Sequence, residues 1–263
     1  MSTHVTTTYA AAVCTVMLQP PEGKPPTLDH AVMHSFEHAL AEIEARAPEL
    51  SAVVLQSASP KFFCAGGNLQ MLEEIDRDSI VPWVERGHRL MNRIEALPVP
   101  VIARVEGYAL GGGLELALAC DLIFASTGAR FGQTETKLGF VTGWGGSYRL
   151  TRRVGLARAK ELVFSGRIFD AEEAVRIGLA EWQGGAAELD RHVDEFLRTV
   201  AGNSRVAIRE LKQLLASCTH TSLAENAGLE AAASRRCLID GDAAERLKTF
   251  LRRKAPSGPT GDK

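Results

Sequence analysis

Five cysteines in 263 residues are too few and too scattered for a disulfide framework. Cys14, Cys64, Cys120, Cys218 and Cys237 also lack metal-ligand spacing, so they read as reduced, mostly packed thiols of a cytoplasmic-type compartment. Charge of one sign is missing as well: 30 basic residues face 32 acidic ones, for a net charge of −2. That balance removes the electrostatic case for a dedicated nucleic-acid binder. No apolar run is long enough to span a bilayer, and no membrane association is expected. The first residues, "MSTHVTTTYAAAVCTVML", have no basic leader, and threonines break their apolar stretch. They read as a strand-like start and not as a signal peptide. Low complexity is confined to the tail after Lys254, "APSGPTGDK", which reads as mobile.

What is present is a chain with enough apolar residues, 45% of the total, to bury a proper core. The clusters "AVVLQS" (Ala52–Ser57), "VPVIARVEG" (99–107) and "LIFAS" (Leu122–Ser126) are short and rich in β-branched residues. They read as buried strands. Helical patterns lie between them, over about 28–46, 83–96 and 113–119. Strands alternating with helices predict an α/β core. After Gly178 proline disappears until Pro256, and Ala, Leu, Glu and Arg dominate. Four stretches there read as successive helices and predict an all-helical C-terminal part. The expected division is a core over 1–185 and a helical region over 186–263.

The chemistry concentrates in three segments. In "GYALGGGLELALACD" (107–121), three glycines open a helix, and one carboxylate, Glu115, sits in apolar surroundings. A glycine-rich helix start offers free N–H groups and the positive end of the helix dipole. The segment fits neither the phosphate-loop pattern nor the dinucleotide fingerprint. Two readings of the triplet remain open: a backbone donor aimed at an oxygen, or close helix–strand packing. "PKFFCAGGNLQML" (60–72) supplies a second tight turn that opens a helix. "FGQTETKLGFVTGWGGSYRL" (131–150) supplies a second lone acid, Glu135, before a glycine-rich loop.

Together these segments resemble the crotonase (enoyl-CoA hydratase/isomerase) superfamily. "FFCAGGN" is similar to its F-x-A-G-A-D turn, and "GYALGGGLELALACD" matches its central signature nearly residue for residue. "FGQTETKLGFVTGWGGSYRLTRRVG" is similar to its F-G-x-P-E-x-x-L-G-x-x-P-G-x-G-G-x-x-R-L run, and "ELVFSGRIFDAEEAVRIGL" continues the match. The resemblance spans nearly the whole chain, in order.

The resemblance implies a spiral of ββα units followed by a helical trimerisation region, and hence a trimer or a dimer of trimers. It implies an acyl-CoA substrate, with coenzyme A as part of the substrate and no separate cofactor. It places the N–H groups of Gly67 and Gly112 on the thioester oxygen, and the adenine at the turn around Ala65 and Leu69. Glu115 and Glu135 match the two acids of true hydratases, and Gly143 matches a backbone position that helps hold the catalytic water. Hydration of a 2-enoyl-CoA to a 3-hydroxyacyl-CoA is the implied reaction. Glu115 would activate water and Glu135 would deliver the proton to Cα. Double-bond isomerisation, decarboxylation and thioester hydrolysis are the alternatives within the superfamily; a non-catalytic acyl-CoA- or RNA-binding homologue is the alternative outside catalysis.

The family pattern is departed from at Gly67 for Ala, Asn68 for Asp, Thr134 and Thr142 for Pro, and a bulky Trp144; the changes at 134, 142 and 144 surround the acyl site. Near the C-terminus Arg246 stands for Gly and Thr249 for Ala. In the same stretch, "RLKTFLRRK", Phe250 and Arg253 are either a solvated helix end or, by the resemblance, contacts to CoA bound by a neighbouring subunit. His30, His34 and His38 fall opposite the apolar stripe of their helix, so they read as an exposed polar face and no metal site is expected.

Overall fold

The computed structural model describes residues 3–218 and 220–254, with side chains through residue 252. The chain forms two compact units, Met1–Val200 and Ala201–Lys263.

The first unit opens with a hairpin of β1 (His4–Ala10) and β2 (Val13–Gln19), followed by α1 (His30–Arg46). Asp29 starts that helix by accepting the N–H groups of Ala31 and Val32. Val32, Met33, Phe36, Leu40 and Ile43 bury one stripe of it. His30, His34 and His38 are exposed, as their spacing predicts, although the His30 ring meets Trp83 edge-on at 4.9 Å.

Three strand pairs then wind as a spiral: β3 (Ala52–Ser57) with β4 (Phe62–Cys64), β5 (Val101–Val105) with β6 (Tyr108–Leu110), and β7 (Leu122–Ser126) with β8 (Arg130–Gly132). The first strand of each pair joins a six-stranded sheet, and the second joins a four-stranded sheet. Strands β3, β5 and β7 pair in parallel in the large sheet, as β4, β6 and β8 do in the small one. The apolar clusters of the large-sheet strands explain this placement, because those strands are buried on both faces.

The crossovers carry the helices. After β4 come α2 (Leu69–Glu73) and α3 (Ile80–Ala96), and after β6 comes α4 (Gly112–Leu118). After β8 come a 3-10 turn (Glu135–Leu138), α5 (Gly146–Val154) and α6 (Leu156–Ser165). Strand β9 (Phe169–Asp170), α7 (Ala171–Arg176) and β10 (Trp182–Gly184) finish the spiral. The main core lies between the sheets and these helices, with Phe36, Phe63, Phe131 and Leu90 almost fully enclosed.

Helix α8 (Ala186–Gly202) belongs mostly to this first unit, so the compact division falls after Val200 and not after residue 185. The reason is packing. Leu189 and Val193 close a second core against Ala52, Val54, Ile102 and Phe124 of the large sheet. Trp182 stacks on His192 with ring centres 4.4 Å apart.

The second unit consists of α9 (Arg205–Ser217), α10 (Leu223–Ile239) and α11 (Ala243–Lys254). Glu210 on α9 is buried and pairs with Arg236 on α10 at 2.6 Å. Ser222 starts α10 with a capping box. Among the described residues no helix is long and apolar enough to cross a membrane. The tail after Lys254, read above as mobile, lies outside the described residues.

Candidate active site

Three strands of the small sheet run parallel and end on the same side. In open α/β sheets that carboxyl edge is where ligands bind. Here it delivers three segments to one cavity: residues 65–67 after β4, Gly111 and Gly112 after β6, and Thr134 and Glu135 after β8. The cavity has a volume of about 100 Å³. Ala65, Gly67, Leu69, Gly112, Glu115, Glu135 and Gly143, seven of the residues singled out in the sequence, all line it.

Each of the two glycine turns frees one amide. Leu28 bridges Gly67 in parallel, donating to the Gly66 carbonyl and accepting from the Asn68 N–H. Gly67 itself therefore turns its N–H to the other side. Gly112 is the first residue of α4, so its N–H has no acceptor within the helix. The turns press together: a Cβ on Gly66 would lie 2.8 Å from the Leu110 carbonyl oxygen and 3.1 Å from the Gly112 nitrogen. A Cβ on Gly113 would overlap the Cys64 carbonyl. The geometry of the triplet is compatible with both readings. Gly111, at φ +51°, makes the turn; Gly112 exposes an amide; Gly113 permits the close packing. Asn68 caps α2 through the Gln70 and Met71 N–H groups. It performs with an amide oxygen the capping that an Asp performs with a carboxylate.

Glu115 lies one turn into α4 and is 2% exposed. Its Oε1 accepts the N–H groups of Trp144 and Gly146, both at 2.7 Å. These donors sit at the start of α5, whose positive dipole end favours a carboxylate. Burial nonetheless dominates and pushes the Glu115 carboxyl above its ordinary range. The amides of Gly146, Trp144 and Gly143 and the Arg149 guanidinium all oppose that rise.

Glu135 opens the 3-10 turn and is held by less. Gln133 Nε2 donates to its Oε1 at 2.8 Å. Its Oε2 is buried and without a partner. Burial first, and the Glu115 charge second, push its pKa up to about 7.

Several participants carry no motif signal. Gln133 is 1% exposed, with its Oε1 buried and unpartnered beside the acid it holds. Arg149 is 3% exposed and donates to the Trp144 carbonyl at 2.8 Å. It also donates to Glu95 at 2.9 Å and to Asn92 at 2.6 Å on α3. This pins the loop whose amides grip Glu115. Trp83 and Trp144 form an apolar wall, edge to face at 5.2 Å. Of the sequence departures at 134, 142 and 144, Trp144 is the one that forms this wall. Phe250 lies on α11 with its side chain more than half exposed, and the Arg253 side chain lies outside the described residues. Among the described residues no group of three or more His, Cys, Asp or Glu is disposed to hold a metal ion.

Known proteins are similar to this chain in sequence and fold. Residues 8–257 match the enoyl-CoA hydratase/isomerase family model. The short-chain-enoyl-CoA hydratase of Clostridium acetobutylicum is 33% identical over 231 residues, 88% of each chain. The mitochondrial methylglutaconyl-CoA hydratase of Rattus norvegicus is 35% identical over 213 residues, 79% of this chain and 67% of the relative. The crystal structure of enoyl-CoA hydratase from Bacillus anthracis superimposes with a TM-score of 0.90 at 32% identity, covering 96% of this chain and 98% of that one. The chain belongs to the enoyl-CoA hydratase/isomerase family, the crotonase superfamily, whose members act on acyl-CoA thioesters.

Proposed function

We propose that the protein hydrates a 2-enoyl-CoA, adding water in the syn sense across the 2,3 double bond to give a 3-hydroxyacyl-CoA. The observation that carries this reading is the pair of lone carboxyls, Glu115 and Glu135, in one cavity with two free amides.

The Gly67 and Gly112 amides polarise the thioester carbonyl and hold the enolate that forms, aided by the α4 dipole. Polarisation makes Cβ electrophilic. Attack by water there requires a base, and the enolate then requires a proton at Cα. Glu115, gripped by two amide donors on one oxygen, is suited to the base role in its ionised form. Glu135, with a pKa of about 7 and a free Oε2, is suited to hold the proton for Cα. The Gly143 amide acts on the Glu115 carboxylate, and through it on the water that Glu115 receives. As the groups interact, their protonation belongs to the pair. Coenzyme A enters as part of the substrate, and the reaction uses no other cofactor.

The Ala65–Leu69 turn is proposed to receive the adenine, with Phe250 and Arg253 meeting CoA on a neighbouring subunit. A trimer-based assembly is supported by the apolar side chains that the second unit exposes, among them Leu215, Leu223, Leu238, Ile239 and Leu247. Light scattering at micromolar concentration should report a trimer or hexamer, and a monomer would refute the assembly. Cys14, Cys64 and Cys120 are buried thiols, which supports a reducing, cytoplasmic setting. The decisive assay is loss of the conjugated enoyl-thioester absorbance of crotonyl-CoA, with 3-hydroxybutyryl-CoA as product. A shifted double bond, released CO2 or free CoA would instead identify one of the other superfamily reactions.

A further inference from the structure

The cavity has two unlike ends. At the lip, Leu69, Leu138 and Val141 are 63%, 56% and 82% exposed. At the inner end, Trp83 and Trp144 are 4% and 3% exposed. Coenzyme A is bulky and multiply charged, so it stays at the lip while the acyl group enters and runs inward.

The inner end is unusually closed. The Trp144 indole lies between two helices, and each yields to it with a glycine. A Cβ on Gly87 of α3 would overlap the pyrrole edge of the ring, and a Cβ on Gly112 of α4 would overlap the benzo edge. Gly87 is buried in the middle of a helix of 17 residues, where glycine is otherwise a cost. Its value there is the room it makes for the indole. The backbone of Trp144 is also fixed, because its N–H grips Glu115 and its carbonyl accepts from Arg149. The ring is held from both ends of the residue, and Trp83 packs across it. This wall lies directly beside the Gly112 amide, so it stands close behind the reacting carbons.

We propose that the Trp144 indole is the chain-length stop of the acyl compartment and restricts the substrate to short 2-enoyl groups. The proposal rests on the acyl-CoA reading above and adds the substrate class. Trp83 supports the stop, and Gly87 is the position that permits it.

The test compares kcat/KM for four-, six-, eight- and ten-carbon 2-enoyl-CoAs in the wild type and in Trp144→Ala. In the wild type the ten-carbon substrate should fall at least ~10-fold below the four-carbon one, the scale for misfit of methylenes in an apolar pocket. Trp144→Ala should shift that ratio by ~10-fold or more toward the longer chain. Loss of a buried indole also weakens a core, so Trp144→Phe, which keeps an aromatic ring, should shift it in the same direction by less. Calorimetry with butyryl-CoA and decanoyl-CoA reads the same discrimination without turnover. If no enoyl-CoA is hydrated yet butyryl-CoA binds more tightly and the variants lose that preference, the hydratase reading fails and the stop stands. If the wild type accepts both lengths equally, or folded variants keep its preference, the stop is refuted.

Discussion

The two segments that carry the acids are built to opposite standards. Glu115 rides a helix whose every residue is buried, and one of its oxygens takes two amide donors at 2.7 Å. Glu135 opens a 3-10 turn with no buried residue, holds one side-chain donor, and leaves one oxygen unpartnered. Both carboxyls are pushed upward by burial. The amides of Gly143, Trp144 and Gly146 favour the ionised form of Glu115, whereas Glu135 has only its own amide and the Gln133 side chain in that sense. Two like residues lining one cavity thereby meet different surroundings, and on the proposed reading environment rather than residue type would assign their roles.

The largest test removes each acid in turn. Glu115→Gln and Glu135→Gln should each lower crotonyl-CoA hydration by ~100-fold or more, the range for positioned acid–base groups. The double variant should be far less impaired than the product of the singles, because the groups act on one water as a unit. If Glu115→Gln left hydration intact while Glu135→Gln abolished every activity, a one-base reaction would replace the two-acid account.

A pH profile sharpens the comparison. With Glu135 as the acid, kcat/KM should fall as pH rises above about 7, where that group loses its proton. The acidic limb, set by protonation of Glu115, should lie above the ordinary carboxylate range. The Gln133 donor favours the ionised form of Glu135, so Gln133→Met should move the alkaline limb to higher pH. An unmoved limb in a folded Gln133→Met protein would separate Gln133 from the proton chemistry.

A smaller effect is expected in stability. The folded pKa of Glu135 lies above its unfolded value, so its protonated form is favoured by folding. The stability it contributes is fully present below about pH 4.5 and is lost as pH rises through about 7. Relative to the wild type, Glu135→Gln should therefore gain Tm between pH 5 and pH 8. Thermal melts at the two pH values check this, and a constant difference would contradict the buried-acid assignment.

Much of this was legible in the chain itself. Two strands, Ala52–Ser57 and Leu122–Ser126, have the bounds their β-branched clusters predict. Both acids and both donor glycines lie in one cavity because their motifs follow successive strands of one small sheet. The reach of the first compact unit was not legible. Helix α8 reads as one more helix in a helical run, and only the receiving surface of Ala52, Val54, Ile102 and Phe124 shows where its apolar side goes. Nor was the partnership of Gly87 with Trp144 visible, since periodicity reports which face a residue occupies and not which distant ring it accommodates. Gln133 was hidden for a related reason: a single amide has no pattern until its neighbour and its burial are known.

Solvent exchange of the α-proton on bound butyryl-CoA tests the division of labour most directly. The saturated thioester has no 2,3 double bond to hydrate, so exchange needs the oxyanion amides and the group that faces Cα. Measured by NMR in deuterated buffer, exchange should persist in Glu115→Gln and drop by ~100-fold or more in Glu135→Gln. Equal loss in both variants, or loss confined to Glu115→Gln, would contradict the assignment of Glu135 to the Cα proton.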